Sequence, residues 1–85
     1  MGKYDKLVLR ILGGFADANI DFEELRELLM RLGFQERIRG SHHIFRRQGV
    51  EEKINLQRDG AKAKPYQVRQ VRNVLVNYRL VGGGD

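Results

Sequence analysis

The sequence lacks cysteine and tryptophan, and it has a single proline among its 85 residues. Without cysteine the chain has no disulfide framework, no thiolate nucleophile and no zinc–cysteine site. It also has no apolar run that approaches the length of roughly 20 residues that a membrane-spanning helix needs. Its first residues lack the apolar segment of a secretory signal. These absences predict a cytoplasmic protein without membrane contact, and nothing in the chain indicates a cofactor.

The length predicts one domain over residues 1–85, because a chain this short has no room for a second core. The apolar fraction of 41% and the charged fraction of 32% are those of a globular protein. Charge is distributed unevenly: residues 1–30 carry four basic and six acidic side chains, whereas residues 31–85 carry twelve basic and five acidic ones. The basic excess predicts a polyanionic partner, nucleic acid first. Charge alone supports a second interpretation equally well, in which the basic surface is only solvated and aids solubility.

Three helices are predicted from apolar spacing and from capping residues. The first covers residues 3–12 and ends at a glycine pair, which makes residues 1–14 an N-terminal helical extension. The second begins at an N-cap, Asp21 or Asn19, and Gly33 ends it. The third begins at Pro65, because the missing N–H of proline costs nothing at a helix start. Glycines 82–84 predict a mobile tail over residues 81–85.

Three short strands are predicted between the second and third helices, over residues 34–39, 41–47 and 53–57. Residues 58–64 are predicted to form a loop. The resulting order predicts an α+β fold, in which helices cover one face of a three-stranded antiparallel sheet and leave the other face in water.

Alternation along these strands assigns their side chains to two faces. If Ile38, Ile44, Ile54 and Leu56 point to the core, the open face carries Arg37, Arg39, His43, Phe45, Arg47, Lys53, Asn55 and Gln57, and His42 points inward. The alternative register of the middle strand exposes His42, Ile44 and Arg46 and buries Phe45, together with His43 and Arg47. The first register is preferred because burial of His43 and Arg47 without partners is costly.

The preferred face combines a proton-transfer group with a phosphate-binding surface, as a metal-free ribonuclease requires; a passive basic surface with the same residues is the alternative. Histidine exchanges a proton near neutral pH, and arginine binds phosphate in a bidentate manner. His43 is therefore the candidate catalytic residue, with Ser41 and His42 as possible auxiliary residues; Ser41 is more simply a turn residue. The candidate RNA-binding residues are Arg37, Arg39, Phe45, Arg47, Lys53, Lys62, Lys64, Arg69 and Arg72. No metal site is predicted, because adjacent histidines on a strand point to opposite faces and cannot share an ion.

The run Gly40-Ser41-His42-His43-Ile44-Phe45 resembles that of the HicA toxin family, and the similarity continues through residues 54–56 and 64–72. It covers roughly residues 17–80. The resemblance implies a fold of order α-β-β-β-α, like that of double-stranded-RNA-binding domains, with an extra N-terminal helix in this chain. It also implies an mRNA-cleaving toxin of a type II toxin–antitoxin system, a HicB antitoxin as partner, and His43 as the catalytic histidine.

Two other classes of function stay open from the sequence. One is a non-catalytic RNA-binding module that uses the same basic face. The other is a protein-interaction domain whose charge matches an acidic partner surface. For His43 the catalytic interpretation is favoured over a structural role, and for His42 the structural role is favoured.

Overall fold

A computed structural model describes residues 2–80 of the chain. The predicted tail over residues 81–85 lies outside the described part. The elements, in chain order, are α1 (Lys3–Gly13), a 3₁₀ turn (Asp17–Asn19), α2 (Phe22–Arg31), β1 (Gln35–Arg39), β2 (His42–Arg47), β3 (Val50–Leu56), β4 (Arg58–Asp59), β5 (Lys62–Ala63) and α3 (Pro65–Asn77). Residues 2–80 therefore form an α+β fold with three α-helices, and the described order is compatible with an α-β-β-β-α arrangement after α1.

The helix starts follow local side-chain chemistry. Asp21 is the N-cap of α2, and its carboxylate accepts a hydrogen bond of 3.0 Å from the backbone N–H of Glu24. This bond satisfies one of the N–H groups that the first helical turn leaves without an intrahelical partner. Pro65 lies in the first turn of α3, where its missing N–H costs nothing. Both predicted helix starts are confirmed.

The three main strands form an antiparallel sheet in the order β1-β2-β3. Two tight turns join them, and Gly40 and Gly49 provide the backbone with φ angles of 59° and 90° at these turns. Glycine adopts such positive angles without a Cβ penalty. The pairing of β2 with β3 shifts between Phe45 and Arg47: Phe45 pairs with Ile54, but Arg47 pairs with Val50, so the extra residues of this irregularity lie in β3. Burial still alternates along β2, with Phe45 buried, Arg46 exposed and Arg47 half-buried.

The segment predicted as a loop over residues 58–64 contains a small hairpin instead. The two-residue strands β4 and β5 pair with each other, and the chain near them bonds to the segment before α2. Ala63 donates its N–H to Ile20, and Phe22 donates its N–H to Ala61, each at 2.9 Å. Two-residue strands are too short to show alternation, so the sequence carries no periodic signal for them.

One hydrophobic core joins the three helices to a single face of the sheet. Phe45, Ile54 and Leu56 are the fully buried side chains of the main sheet. They pack with apolar side chains of α2 and α3, and α1 adds Leu7 and Ile11 to the same core. Over residues 2–80, no helix covers the exposed side chains on the opposite face of the sheet. The N-terminal extension is thus part of the common core.

Among residues 2–80, no helix has both the length and the apolar composition to cross a bilayer.

Candidate RNA-binding face and the two histidines of β2

The middle strand has the register opposite to the preferred prediction. Phe45 pairs with Ile54, and His43 pairs with Leu56, so His43 and Phe45 share the helix-covered face. Phe45 is fully buried, and the ring of His43 has only 16% of its side-chain surface exposed. The predicted placement of His43 and Phe45 on the open face is therefore wrong. Because Phe45 is out of reach of solvent, it cannot stack on a base as predicted.

Three physical effects reverse the predicted register. Burial of the Phe45 ring removes more apolar surface from water than burial of Ile44. The charge on Arg47 does not have to enter the core, because Arg47 lies at the end of β2, in a surface concavity beside Gly33 and Val50, where it is only half-buried. His43 is not buried without a partner, since Glu36 accepts its Nδ1–H across the sheet. The cost that disfavoured this register is thus largely absent.

The open face of the sheet is consequently composed differently from the prediction. It includes Arg37, Arg39, His42, Ile44, Arg46, Lys53 and Asn55, which lie on alternate positions of the three strands. The cations line a shallow concavity of about 640 Å³. Within residues 2–80, no ion pair engages these four arginine and lysine side chains, and all four are exposed. The open face therefore presents uncompensated positive charge to solvent.

His42 lies on this face in a cluster of polar side chains. Its Nδ1 is 3.2 Å from Oδ1 of Asn55, and its Nε2 is 3.5 Å from Nε2 of Gln57. The same Gln57 amide nitrogen is 3.4 Å from Oγ of Ser41, and the Gln57 oxygen is 3.4 Å from Nζ of Lys64. The ring is exposed, and Arg39 is its partner across the strand pair. His42 therefore has the surroundings that were predicted for His43.

His43 lies on the other face in a compact ionic cluster. Its Nδ1 is 2.7 Å from Oε2 of Glu36, and its ring meets the ring of Phe22 edge-on with centroids 4.9 Å apart. Arg26 binds the same carboxylate through Nε at 2.6 Å and Nη2 at 2.7 Å. The cluster continues through Glu23, which pairs with both Arg26 and Arg58. His43 is thus a satisfied, largely buried histidine beside an anion.

The bidentate contact with Arg26 determines the charge of this cluster. The guanidinium hydrogen bonds, with a smaller contribution from His43, hold the pKa of the Glu36 carboxyl below its usual value, against the opposing effect of burial. The carboxylate in turn raises the pKa of Arg26. Glu36 is therefore ionised at neutral pH and keeps the His43 ring in one orientation.

The remaining predicted residues do not gather at one site. Arg72 is half-buried and bound to Asp17 at 2.9 and 3.1 Å, so its guanidinium holds α3 against the 3₁₀ turn. Arg69 is exposed on α3, and Lys62 is exposed on β5, which packs against α2. Lys64 alone of the candidate cations outside the main sheet reaches the open-face cluster, through Gln57.

The sequence did not predict the roles of several residues at the two sites. In the preferred register Arg46 would lie on the inner face with His42 and Ile44, yet it is exposed on the open face. Glu36 and Arg26 had no assigned role, because they are ten positions apart and only the packing of α2 on the sheet brings them together. Asn55 and Gln57 differ from these residues, because their alternation with Ile54 and Leu56 in the sequence predicts that they lie on the open face.

Within the described residues, no group of three or more histidine, aspartate or glutamate side chains is arranged to hold a metal ion. A scan against protein-family models gives no match for the chain, and searches of curated proteins and of solved structures give none either. The resemblance to HicA toxins therefore stays a prediction that rests on the residues quoted above.

Proposed function

We propose that the protein is a metal-independent endoribonuclease that binds RNA on the open face of the sheet and cleaves it with His42. The observation that carries the proposal is the exposed imidazole of His42 on a face with four cations that form no ion pair within residues 2–80. Arginine and lysine side chains that lack internal partners are free to bind phosphates. Histidine supplies the proton transfer that phosphodiester cleavage requires.

The reaction that fits this face is internal transfer of a phosphodiester. The imidazole of His42 takes the proton of a ribose 2′-hydroxyl while the 2′ oxygen bonds to the adjacent phosphorus. The bond from phosphorus to the 5′ oxygen breaks, and the 5′ oxygen takes a proton from water. The imidazolium then releases its proton to solvent. The products are a 2′,3′-cyclic phosphate and a 5′-hydroxyl, and nearby arginines stabilise the charge that builds on phosphorus.

The resemblance to HicA toxins supports the biological setting of this proposal. In that setting the protein is the mRNA-cleaving toxin of a type II toxin–antitoxin system. A HicB-type antitoxin covers its active site, and its fold is related to double-stranded-RNA-binding domains. The resemblance implies His43 as the catalytic residue. The solvent exposure of the His42 ring and the positive charge around it favour His42 instead. Both histidines therefore enter the test.

The test compares His42→Ala with His43→Ala in an assay of RNA cleavage by the purified protein. We expect His42→Ala to lose at least about 100-fold in cleavage rate, as for removal of a general base. Its free energy of unfolding should change by less than about 0.5 kcal/mol, because the ring is exposed. His43→Ala should instead destabilise the fold, and below its melting temperature it should cleave within a few-fold of the parent.

A result in which His43→Ala is folded but inactive, while His42→Ala cleaves normally, would move the catalytic role to His43 and its Glu36 partner. If neither substitution changes cleavage, or the parent does not cleave, the nuclease proposal fails.

A second candidate function is a non-catalytic RNA-binding module. The observation in its favour is that the two imidazoles lie on opposite sides of β2, so only one of the two histidines is on the open face. Efficient acid–base cleavage generally uses two proton-transfer groups. This candidate predicts strong, salt-sensitive RNA binding by the parent without any cleavage product.

A further inference from the structure

The polar cluster around His42 contains a chain of contacts whose donors and acceptors can be assigned. It runs from Lys64 to Gln57, from Gln57 to His42, and from His42 to Asn55. A primary amide can be turned by 180° without a change of shape, and a neutral imidazole can hold its proton on either nitrogen. The donor and acceptor groups in this series of contacts determine both the orientation of the Gln57 amide and the tautomer of His42.

Lys64 determines the orientation of the Gln57 amide. An ammonium group only donates hydrogen bonds, so the Gln57 atom 3.4 Å from Nζ must be the oxygen. The amide nitrogen of Gln57 then faces His42 and Ser41. Because this nitrogen only donates, the His42 nitrogen opposite it must act as an acceptor. The lone pair of the neutral ring is therefore on Nε2.

Asn55 is compatible with this assignment from the other side of the ring. With the lone pair on Nε2 the ring proton is on Nδ1, where Oδ1 of Asn55 lies 3.2 Å away and accepts it. The two contacts on opposite ring nitrogens thus agree with one tautomer, which the Lys64–Gln57 contact selects. The contact between Gln57 and Nε2 is long, at 3.5 Å, which makes it a weak bond that a substrate hydroxyl can replace.

We propose that Asn55 and Gln57 are positioning residues, which hold His42 as the Nδ1–H tautomer with Nε2 available as the base atom. This inference rests on the proposed function, in which Nε2 takes the 2′-hydroxyl proton. Asn55 acts as the orienting partner of the histidine, in the role that a carboxylate or amide has beside many catalytic imidazoles. Lys64, on the far side of Gln57, adds a positive charge near the phosphate.

The test begins with the tautomer itself, read from two-bond ¹H–¹⁵N correlation spectra of the neutral histidines. The protein has only two histidines, so the signals are assigned with His42→Ala and His43→Ala. We expect His42 of the parent to be protonated on Nδ1. In Asn55→Ala we expect a shift toward the Nε2–H form. His43 serves as an internal control, since Glu36 rather than Asn55 holds its Nδ1.

Cleavage by the same variants gives a second readout. Asn55→Ala should cleave roughly 10- to 100-fold more slowly, the usual cost of removing a group that orients a functional histidine. Asn55→Asp keeps an acceptor beside Nδ1, so it should restore most of this loss. It should also move the acid limb of the pH–rate profile upward, because a carboxylate favours the charged ring. Asn73→Ala, an exposed amide on α3, is the matched control and should change neither readout.

Gln57→Glu provides an independent variant in case Asn55→Ala fails to fold. It places an acceptor opposite Nε2, so the ring should take a proton there and cleavage should fall. An Nε2–H tautomer of His42 in the parent, or an unchanged tautomer in both Asn55→Ala and Gln57→Glu, would overturn the inference. The spectra need no RNA, so a parent with the expected tautomer that does not cleave would refute the proposed function instead.

Discussion

His42 and His43 are adjacent in the chain and identical in chemistry, yet they lie in opposite environments. The imidazole of His42 is exposed among amides and arginines on the open face. The imidazole of His43 is largely buried between Phe22 and an ionised carboxylate that an arginine also binds. The comparison shows that one step along a strand separates a residue suited to catalysis from one suited to stability. The predictions below test this division between the two faces of the sheet.

The largest expected effect concerns the register of β2. Phe45→Ala should lower the free energy of unfolding by about 3–5 kcal/mol, because it opens a cavity in a fully buried site. Its neighbour Ile44 lies half-buried on the open face, so Ile44→Ala should cost about 1 kcal/mol or less. Urea denaturation of the two variants measures both values. A larger loss for Ile44→Ala than for Phe45→Ala would mean that the predicted register was right after all.

The next effect concerns the ionic cluster on the covered face. Glu36→Gln should destabilise the protein at pH 7 by about 1–3 kcal/mol, since it removes the negative charge and replaces one of the two acceptor oxygens that Arg26 and His43 share with a donor. The pKa of Glu36 is lower in the folded protein than its unfolded value near 4.5. Its contribution to stability is therefore present above that pH and is lost as the pH falls through the folded value.

Urea midpoints measured between pH 7 and pH 3 follow this contribution. The parent should lose more stability on acidification than Glu36→Gln does. Glu51→Gln, which changes an exposed carboxylate, is the control and should follow the parent. Equal pH dependence in the parent and Glu36→Gln would show that the cluster does not stabilise the covered face.

The smallest expected effect concerns single cations of the open face. Arg37→Ala and Arg46→Ala should each weaken RNA binding and reduce the slope of log affinity against log salt by about 1, because each removes one phosphate contact. Binding is measured with a 2′-O-methyl RNA, which cannot be cleaved by its own 2′ oxygen. Lys6→Ala on α1 is the control of equal charge. An equal reduction in the Lys6 variant would place the RNA elsewhere.

Most of the secondary structure could be predicted because its signals are local. Asp21 and Pro65 identify the starts of α2 and α3, and Gly40 and Gly49 identify the turns of the sheet. Alternation placed Ile54 and Leu56 correctly in the core. The small hairpin of β4 and β5 could not be predicted, since its pairing depends on backbone contacts with the segment before α2.

The candidate site could be predicted only in its composition. The sequence showed basic residues, two histidines and neighbouring amides on short strands. It did not show which histidine faces solvent, because His42 with Ile44 and His43 with Phe45 are both acceptable inner pairs by alternation. The choice between them depended on Glu36 as a partner for His43 and on the place of Arg47 at the end of β2, where it stays half-buried.

The sequence by itself thus determined the helices, the order of the main strands and the excess of positive charge, since caps, turn glycines and periodicity act over a few residues. Only the tertiary structure decided the faces of β2 and the partners of each imidazole. These depend on groups that are distant in the chain, as when α2 brings Arg26 to Glu36 and α3 begins where Lys64 can reach Gln57. Burial energies and hydrogen bonds between such groups exist only once the layers have packed.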